Sequence, residues 1–392
     1  MGRHGYYVID SDAHIFETLD MWRQMASDFM DTGDASKLSQ VIKEFEAKNL
    51  NYDQFRQVHL WPMRSTQQPV RRDRPLGVYD PSQKVKFDEG GRHWEAKGAW
   101  APLDPEARII DMDTEGVDVA VIFPSGVAAW CAVDDMALET AIYTAYNRWM
   151  GRFCSHAPER FKYVAVVSMR DIPGAVREVE RAAADSNMVG IYFQTHSDER
   201  LLDHPDFEPL WSAIEESGLP LDVHQASSAL PPFGMGIHET KGNRFLQHSS
   251  GNPYEQMRAI ACMTGAGVFE RHPRLHAAYL EAGCGWLPFW LERLDEHFHL
   301  MPESVPLLHR EPSQFFKNGN CFISLDPDEA MLPHVVSYLG ADQIVYASDY
   351  PHYDGRFPNS VKIIAERRDL RDETKVKLLG GNARRLYPRL AK

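Results

Sequence analysis

Short apolar runs rich in β-branched residues alternate with longer segments of helical periodicity along most of this 392-residue chain. Such alternation is typical of βαβ units, in which helices cover a sheet of parallel strands. The candidate strands lie at 6–11, 119–123, 163–168, 189–194, 219–224, 275–281, 321–325 and 344–348. Eight is the number that closes a barrel, so the pattern predicts an α/β fold of the (β/α)8 TIM-barrel type.

The segments of helical period lie between these strands and suit the outer ring of a barrel. They are 136–154, 172–185, 206–217, 254–270 and 286–297, and a last stretch at 372–379 is expected to close the bottom of the barrel. Because α/β barrels of this size fold as one unit, we expect a single domain spanning 1–392.

Residues 18 to about 105 interrupt the alternation and are rich in charged residues, Gly, Pro and Trp. The loop that leaves the first strand of a barrel emerges on the catalytic face, so we predict an insertion that forms a lid over the active site. A partly disordered decoration is the alternative, but the tryptophans Trp22, Trp61, Trp94 and Trp100 favour a packed segment.

Composition excludes several classes of partner. The formal net charge is −14, which argues against nucleic acid because that partner requires clustered Lys and Arg. No apolar stretch reaches the roughly 18 residues that a membrane span needs, and the amino terminus lacks the apolar segment of a secretory signal. The five cysteines have no CxxC spacing and indicate neither a disulfide framework nor a thiolate zinc site. We therefore expect a cytoplasmic protein that acts on a small molecule.

The first predicted strand runs into Asp10-Ser11-Asp12-Ala13-His14. Side chains alternate across a strand, so Asp12 and His14 point to the same side and, in a barrel, inward. Asp10 shares their parity but lies deeper and is the weaker candidate ligand.

Two further polar residues stand where strands deliver side chains to the catalytic rim of a barrel. His224 ends the fifth strand and Asp349 follows the eighth. Strands one and eight are neighbours in a closed barrel, so Asp349 should lie close to Asp12 and His14. Two carboxylates and two imidazoles make a mixed site for one divalent ion, Zn²⁺ or Mn²⁺, with the carboxylates favouring Mn²⁺.

Glu281 ends the sixth predicted strand, on the opposite side of the metal pocket. A catalytic carboxylate is one interpretation. A helix N-cap or a salt bridge to Arg293 is the other.

These motifs, taken in order, resemble the amidohydrolase-related family of the amidohydrolase superfamily, the branch that contains aminocarboxymuconate-semialdehyde decarboxylase and γ-resorcylate decarboxylase. The resemblance is carried by 12–14, 218–224, 269–275, 280–286, 348–352 and 381–386. It implies a (β/α)8 barrel with one metal ion, and a homodimer or larger homo-oligomer. Asp12 and His14 stand where the family has H-x-H or E-x-H, His224 matches its strand-five histidine, and Asp349 matches its final-strand aspartate.

The chain departs from this family at strand six, where the decarboxylases carry a catalytic histidine and this sequence has Glu281. A glutamate can accept a proton but cannot offer the positive charge of an imidazolium. His352, three residues after Asp349, is a candidate to supply that imidazole as acid, base or substrate clamp, with a capping or surface histidine as the alternative. His196 is a weaker candidate of the same kind.

Three functional hypotheses follow. The leading one is a metal-dependent non-oxidative decarboxylase, a carboxy-lyase of an aromatic or unsaturated carboxylic acid. The second is a metal-dependent hydrolase, in which Glu281 or Asp349 takes the proton of metal-activated water before attack on an amide, ester, lactone or C–C bond. The third is a non-catalytic barrel that serves as a binding protein.

Overall fold

The computed structural model describes residues 4–47, 101, 103–128, 135–197, 200–224, 244–352 and 355–390. Within them, eight parallel strands form one sheet in chain order. They are β1 Ile9–His14, β2 Val119–Phe123, β3 Phe161–Val166, β4 Met188–Phe193, β5 Leu221–Val223, β6 Ala277–Tyr279, β7 Cys321–Leu325 and β8 Ile344–Tyr346. Beyond the end of β8, the Asp349 N–H donates to the Asp12 carbonyl at 3.0 Å and brings the two ends of the sheet together. The predicted (β/α)8 barrel is confirmed.

Helices surround this sheet and separate its strands. In the described residues they are α1 Leu19–Asp28, α2 Thr32–Ala47, α3 Pro105–Glu115, α4 Met136–Cys154, α5 Ile172–Ala182, α6 Glu208–Ser217, α7 Arg244–Gly265, α8 Val268–Arg271, α9 Leu287–Leu300, α10 Ser313–Asn318, α11 Leu332–Leu339, α12 Ser360–Glu366, α13 Asp372–Val376 and α14 Asn382–Leu386. None of these helices has the length and apolar character needed to cross a bilayer.

Strand β1 begins three residues later than predicted. The sequence prediction followed the apolar run at its start, whereas the strand itself contains the buried polar residues Asp10, Ser11 and Asp12. Asp10 explains this placement, because its Oδ1 accepts the Ser348 N–H at 3.0 Å and fastens β1 to the end of β8. The pairing of β1 with β2 is irregular between Asp10 and Ala13. Such irregularities re-aim side chains beside active sites.

Only part of the predicted insertion lies in the described residues, namely 18–47, 101 and 103–105. Trp22 on α1 is fully buried. Helix α1 packs against α4, where the Trp149 indole donates to Gln24 Oε1 at 3.1 Å and Arg152 pairs with Asp28 at 3.2 Å. This segment therefore belongs to the packed outer layer, and the remainder of the predicted lid lies outside the described residues.

Candidate metal centre

Asp12 and His14 lie at the carboxyl end of β1, and both are almost fully buried. His14 Nε2 is 3.2 Å from Asp12 Oδ1. His14 Nδ1 lies 2.9 Å from the Pro124 carbonyl oxygen just after β2. A carbonyl can only accept, so Nδ1 carries the hydrogen and Nε2 presents a lone pair to the carboxylate.

These facing atoms are both acceptors when Asp12 is ionised. Neither Asp12 carboxylate oxygen, nor His14 Nε2, has a hydrogen-bond partner within the described part of the chain. Burial lowers the pKa of His14 to about 3, so the ring is neutral at pH 7. Burial raises the pKa of Asp12 to about 7, because a carboxylate enclosed in protein lacks the solvation of water. Two buried lone pairs aimed at each other fit a cation between them.

His224 directly follows β5 and completes this group. Its Nε2 lies 3.7 Å from Asp12 Oδ1 and 2.7 Å from Glu281 Oε2. Candidate ligand atoms of Asp12, His14 and His224 all lie within 4.8 Å of one another. Two imidazoles and one carboxylate at this spacing fit a divalent metal ion.

Asp349 and His352 approach the same histidine from the loop after β8. Asp349 Oδ1 lies 3.5 Å from His14 Nε2 and 2.6 Å from His352 Nδ1. His352 Nε2 is 3.2 Å from Ser125 Oγ, so both of its ring nitrogens have partners. His14, Asp349 and His352 form a second group with ligand atoms within 4.8 Å of one another. His14 is shared by both groups, so the two groups are adjacent.

Glu281 follows β6 and faces the first group. Its Oε2 lies 2.7 Å from His224 Nε2, and its Oε1 accepts a hydrogen bond from the Asn252 side-chain amide at 3.2 Å. Burial by itself would raise the pKa of Glu281, but the charge and hydrogen bond of His224 outweigh burial and hold that pKa below its ordinary range. The pairing with His224 is neither the helix N-cap nor the salt bridge to Arg293 that the sequence also allowed.

Glu281 and Asp349 share an unusual backbone conformation. Their φ angles are 54° and 55°, in the left-handed region that non-glycine residues rarely occupy. Such a residue costs about 1 kcal/mol and persists where the surrounding structure enforces it. Both strained carboxylates lie just past strand ends and line the same cavity.

That cavity opens over the carboxyl ends of the strands and has a volume of about 320 Å³. Its described lining includes the acids Asp12, Glu281, Asp326, Asp328 and Asp349, and the cation Arg356. The volume suits a single-ring small molecule. Because five of the six charged residues in this described lining are acids, its charge is complementary to a bound cation. Among the side chains of α1 and α2 that the structure describes, none lines this cavity.

Helix α3 braces the site from behind through polar residues on one face. The Arg108 guanidinium donates to the His14 carbonyl at 2.7 Å. The Tyr350 hydroxyl donates to Asp111 Oδ2 at 2.6 Å. These bonds hold the backbone on both sides of the candidate ligands, at the end of β1 and after β8.

Glu115, at the end of α3, joins this helix to α12 through a buried carboxyl group. Its Oε1 accepts the Val361 N–H at 2.7 Å, while its Oε2 is buried with no hydrogen-bond partner in the described residues. Burial raises the pKa of Glu115 from 4.5 to about 7. The folded protein therefore holds this proton more tightly than the unfolded chain, and stability is lost as pH rises from 4.5 through about 7.

Glu115→Gln cannot ionise and keeps one oxygen for the Val361 N–H. We expect its stability relative to the parent to increase from about pH 5 to about pH 8, by up to about 3 kcal/mol. Denaturant unfolding of both proteins across this range measures the difference. A difference that does not change with pH would show that Glu115 does not titrate on folding.

Glu17 was missed by sequence reasoning. Its buried carboxylate accepts the N–H groups of Ser125 at 3.0 Å and Gly126 at 2.6 Å. It thereby fixes the loop after β2, which presents the Pro124 carbonyl to His14. Its only sequence signal is a lone carboxylate directly after the apolar pair Ile15-Phe16. The partner loop lies about a hundred residues away, and nothing in the sequence joins them.

The structure places His196 away from the described cavity lining. Its side chain is buried, with Nδ1 3.4 Å from Glu255 Oε2 and 3.2 Å from Arg258 Nη2. This ion-pair network lies between the loop after β4 and helix α7. His196 therefore makes contacts typical of a structural histidine.

Comparison with known proteins identifies the family to which this chain is similar. A family model described as amidohydrolase matches residues 9–389. The chain is 26% identical over 284 residues to a 2-amino-3-carboxymuconate-6-semialdehyde decarboxylase of Dictyostelium discoideum, covering 71% of this chain and 75% of that protein. It is 24% identical over 297 residues to a gamma-resorcylate decarboxylase of Rhizobium radiobacter, covering 72% of this chain and 86% of that protein.

A solved structure shares the fold. It is the 5-carboxyvanillate decarboxylase of Novosphingobium aromaticivorans, complexed with manganese and 4-hydroxy-3-methoxy-5-nitrobenzoic acid. The TM-score is 0.66 at 21% identity, and the match covers 99% of this chain and 97% of that one. The comparison therefore supports the barrel fold.

Proposed function

Since this chain belongs to the amidohydrolase family, we propose that it is a metal-dependent enzyme that removes carbon dioxide from an aromatic or unsaturated carboxylic acid without oxidation. The observation that carries the proposal is the buried group of Asp12, His14 and His224, in which the unpartnered atoms of Asp12 and His14 face each other and Asp12 lines the cavity. The curated relatives named above are decarboxylases. Both facts favour an enzyme over a non-catalytic binding barrel.

We propose that Asp12, His14, His224 and Asp349 hold one divalent ion. Mixed carboxylate and imidazole ligands suit manganese as well as zinc, and the related 5-carboxyvanillate decarboxylase structure contains manganese. Bound there, the ion would act as a Lewis acid toward substrate oxygens. His352 holds the Asp349 carboxylate through Nδ1, so its role in this proposal is to position a ligand.

Decarboxylation breaks a C–C bond and forms a C–H bond at the same carbon, so a residue must deliver a proton. Glu281 is the residue we assign to this step, because its carboxyl group lines the cavity and is oriented by Asn252. Its lowered pKa makes it a carboxylate at rest, so it would first take a proton from water and then pass that proton to the carbon that loses carbon dioxide. His224 has one Nε2, and a ligand role there would leave Glu281 Oε2 available to the substrate. Asp349 is the second candidate for proton transfer.

Glu281 also favours one alternative, a hydrolase. A carboxylate can take the proton of an attacking water molecule, whereas it cannot supply the positive charge that an imidazolium offers to a substrate carboxylate. Amides, esters, lactones and activated C–C bonds are the substrates of that alternative.

One experiment separates the two reactions. Protein loaded with manganese is incubated with 2,6-dihydroxybenzoate and 5-carboxyvanillate, and carbon dioxide and the phenolic product are quantified. We expect release of one carbon dioxide per product molecule and no ¹⁸O from labelled water in that product. Incorporation of ¹⁸O into the product of an ester, amide or lactone, with no carbon dioxide from the acids, would overturn the proposal in favour of hydrolysis.

We also propose a homodimer or larger assembly, as the family resemblance implies. Light scattering of the purified protein gives its mass in solution and tests this directly.

A further inference from the structure

The loop after β6 wraps around a carboxylate from the neighbouring loop. Glu329 lies just after β7, and its Oε1 and Oε2 accept the Cys284 N–H at 2.9 and 3.0 Å. Its Oε1 also accepts the Gly285 N–H at 2.6 Å. The Cys284 thiol donates to Oε2 at 3.1 Å. Successive N–H groups that converge on one anion form a backbone nest.

Two glycines permit this close approach. A Cβ at position 283 would lie 2.9 Å from Glu329 Oε1, and one at position 285 would lie 3.0 Å from the same atom. Gly283 also has a φ of 60°, which a side chain would strain. The sequence Gly283-Cys284-Gly285 is therefore shaped to enclose the Glu329 carboxylate.

Glu329 is itself held firmly. Its N–H donates to the Asp326 carbonyl at 3.1 Å, and its Oε2 accepts the Asp326 N–H at 3.2 Å. Its carbonyl accepts from Arg367 Nη1 at 2.7 Å. A residue fixed at its backbone and at both side-chain oxygens can hold a neighbouring loop in one conformation.

The held loop begins at Glu281. This residue has the left-handed φ of 54° and places its carboxylate against His224 and Asn252. A left-handed glutamate costs about 1 kcal/mol and relaxes unless its surroundings prevent it. The Trp286 indole donates to the Ala282 carbonyl at 2.9 Å, and the Glu329 nest fixes the loop from Cys284, three residues after Glu281.

We propose that Glu329 is a positioning residue for Glu281: its carboxylate gathers the Cys284 and Gly285 N–H groups and so holds Glu281 in its strained conformation at the cavity. This inference rests on the proposed function. Glu329 is not assigned any contact with substrate or ion, and its effect passes through the loop.

The test compares Glu329→Ala with two control variants, all loaded with manganese. Cys284→Ala removes the thiol but keeps both N–H donors to Glu329. Glu366→Ala removes an exposed carboxylate on α12. We expect Glu329→Ala to lower kcat about 100-fold, the effect of a misplacement of about 1 Å, with KM and metal content near those of the parent. Both controls should stay within about threefold of the parent.

A double-variant cycle separates positioning from a general loss of structure. If Glu329 acts through Glu281, adding Glu329→Ala to Glu281→Gln should slow the enzyme no further. A full additional 100-fold loss in the double variant would overturn the proposal, as would a Glu329→Ala enzyme that works at the parent rate.

Thiol labelling gives a readout that does not depend on activity. Cys284 is buried and bound to Glu329, so it should react slowly with a disulfide reagent in the parent protein. In Glu329→Ala one additional thiol should react, and Glu329→Ala/Cys284→Ala should lose it. If the parent protein releases no carbon dioxide, the proposed function fails, but thiol labelling still tests the Glu329 nest. In that case, unchanged thiol labelling of Glu329→Ala would refute the proposed nest.

Discussion

Replacing His224 by alanine is expected to abolish stoichiometric metal binding and to lower kcat/KM by about 10⁴-fold, a loss of about 5 kcal/mol of transition-state stabilisation. The reason is that His224 supplies one of the two imidazoles in the buried group with Asp12 and His14. Elemental analysis of protein purified with manganese, together with the decarboxylation assay, measures both effects.

The same variant should remain folded, because ligands at the catalytic rim lie outside the packed layers of the barrel. Circular dichroism and a cooperative thermal transition check this. His299→Ala is the matched control, since it removes an exposed imidazole on α9 that pairs with Glu311. A His224→Ala protein that unfolds wholesale, or one that keeps its metal, would contradict the assignment.

Replacing Glu281 by glutamine is expected to lower kcat by about 10³-fold while metal content stays at the parent value. Glutamine keeps the size of the side chain and one oxygen for Asn252, but it cannot carry the proton. Single-turnover kinetics with the preferred acid measures the change. Glu292→Gln on the outer face of α9 controls for the loss of a carboxylate. Turnover of Glu281→Gln at the parent rate would remove Glu281 from the mechanism.

The barrel was predictable because its strands are separated by turn residues and alternate regularly with segments of helical periodicity. Strands β2 and β7 and helix α4 have the predicted bounds, since each is a well-delimited apolar or amphipathic run. The predicted bounds of β1 were wrong because polar residues within this strand are hydrogen-bonded to distant partners. Asp10 bonds to Ser348 more than 300 residues away, a contact that hydrophobic periodicity cannot register.

The candidate ligands were predictable because a closed barrel fixes which strand ends meet. Asp12, His14, His224 and Asp349 each stand at a strand end, and topology alone brings them to one rim. The residues that hold them were not predictable. Glu17 and Glu329 act on backbone N–H groups, which every residue except proline carries, so their partners leave little trace in the sequence.

The position of the bound ion tests the four proposed ligands directly. Crystals grown with manganese, with diffraction data collected at the manganese absorption edge, locate the metal without reference to any assumed ligand. We predict a single anomalous peak bonded to Asp12, His14, His224 and Asp349. A peak held by His14, Asp349 and His352 without Asp12 and His224, or a peak away from this rim, would show that these four residues are not the ligands.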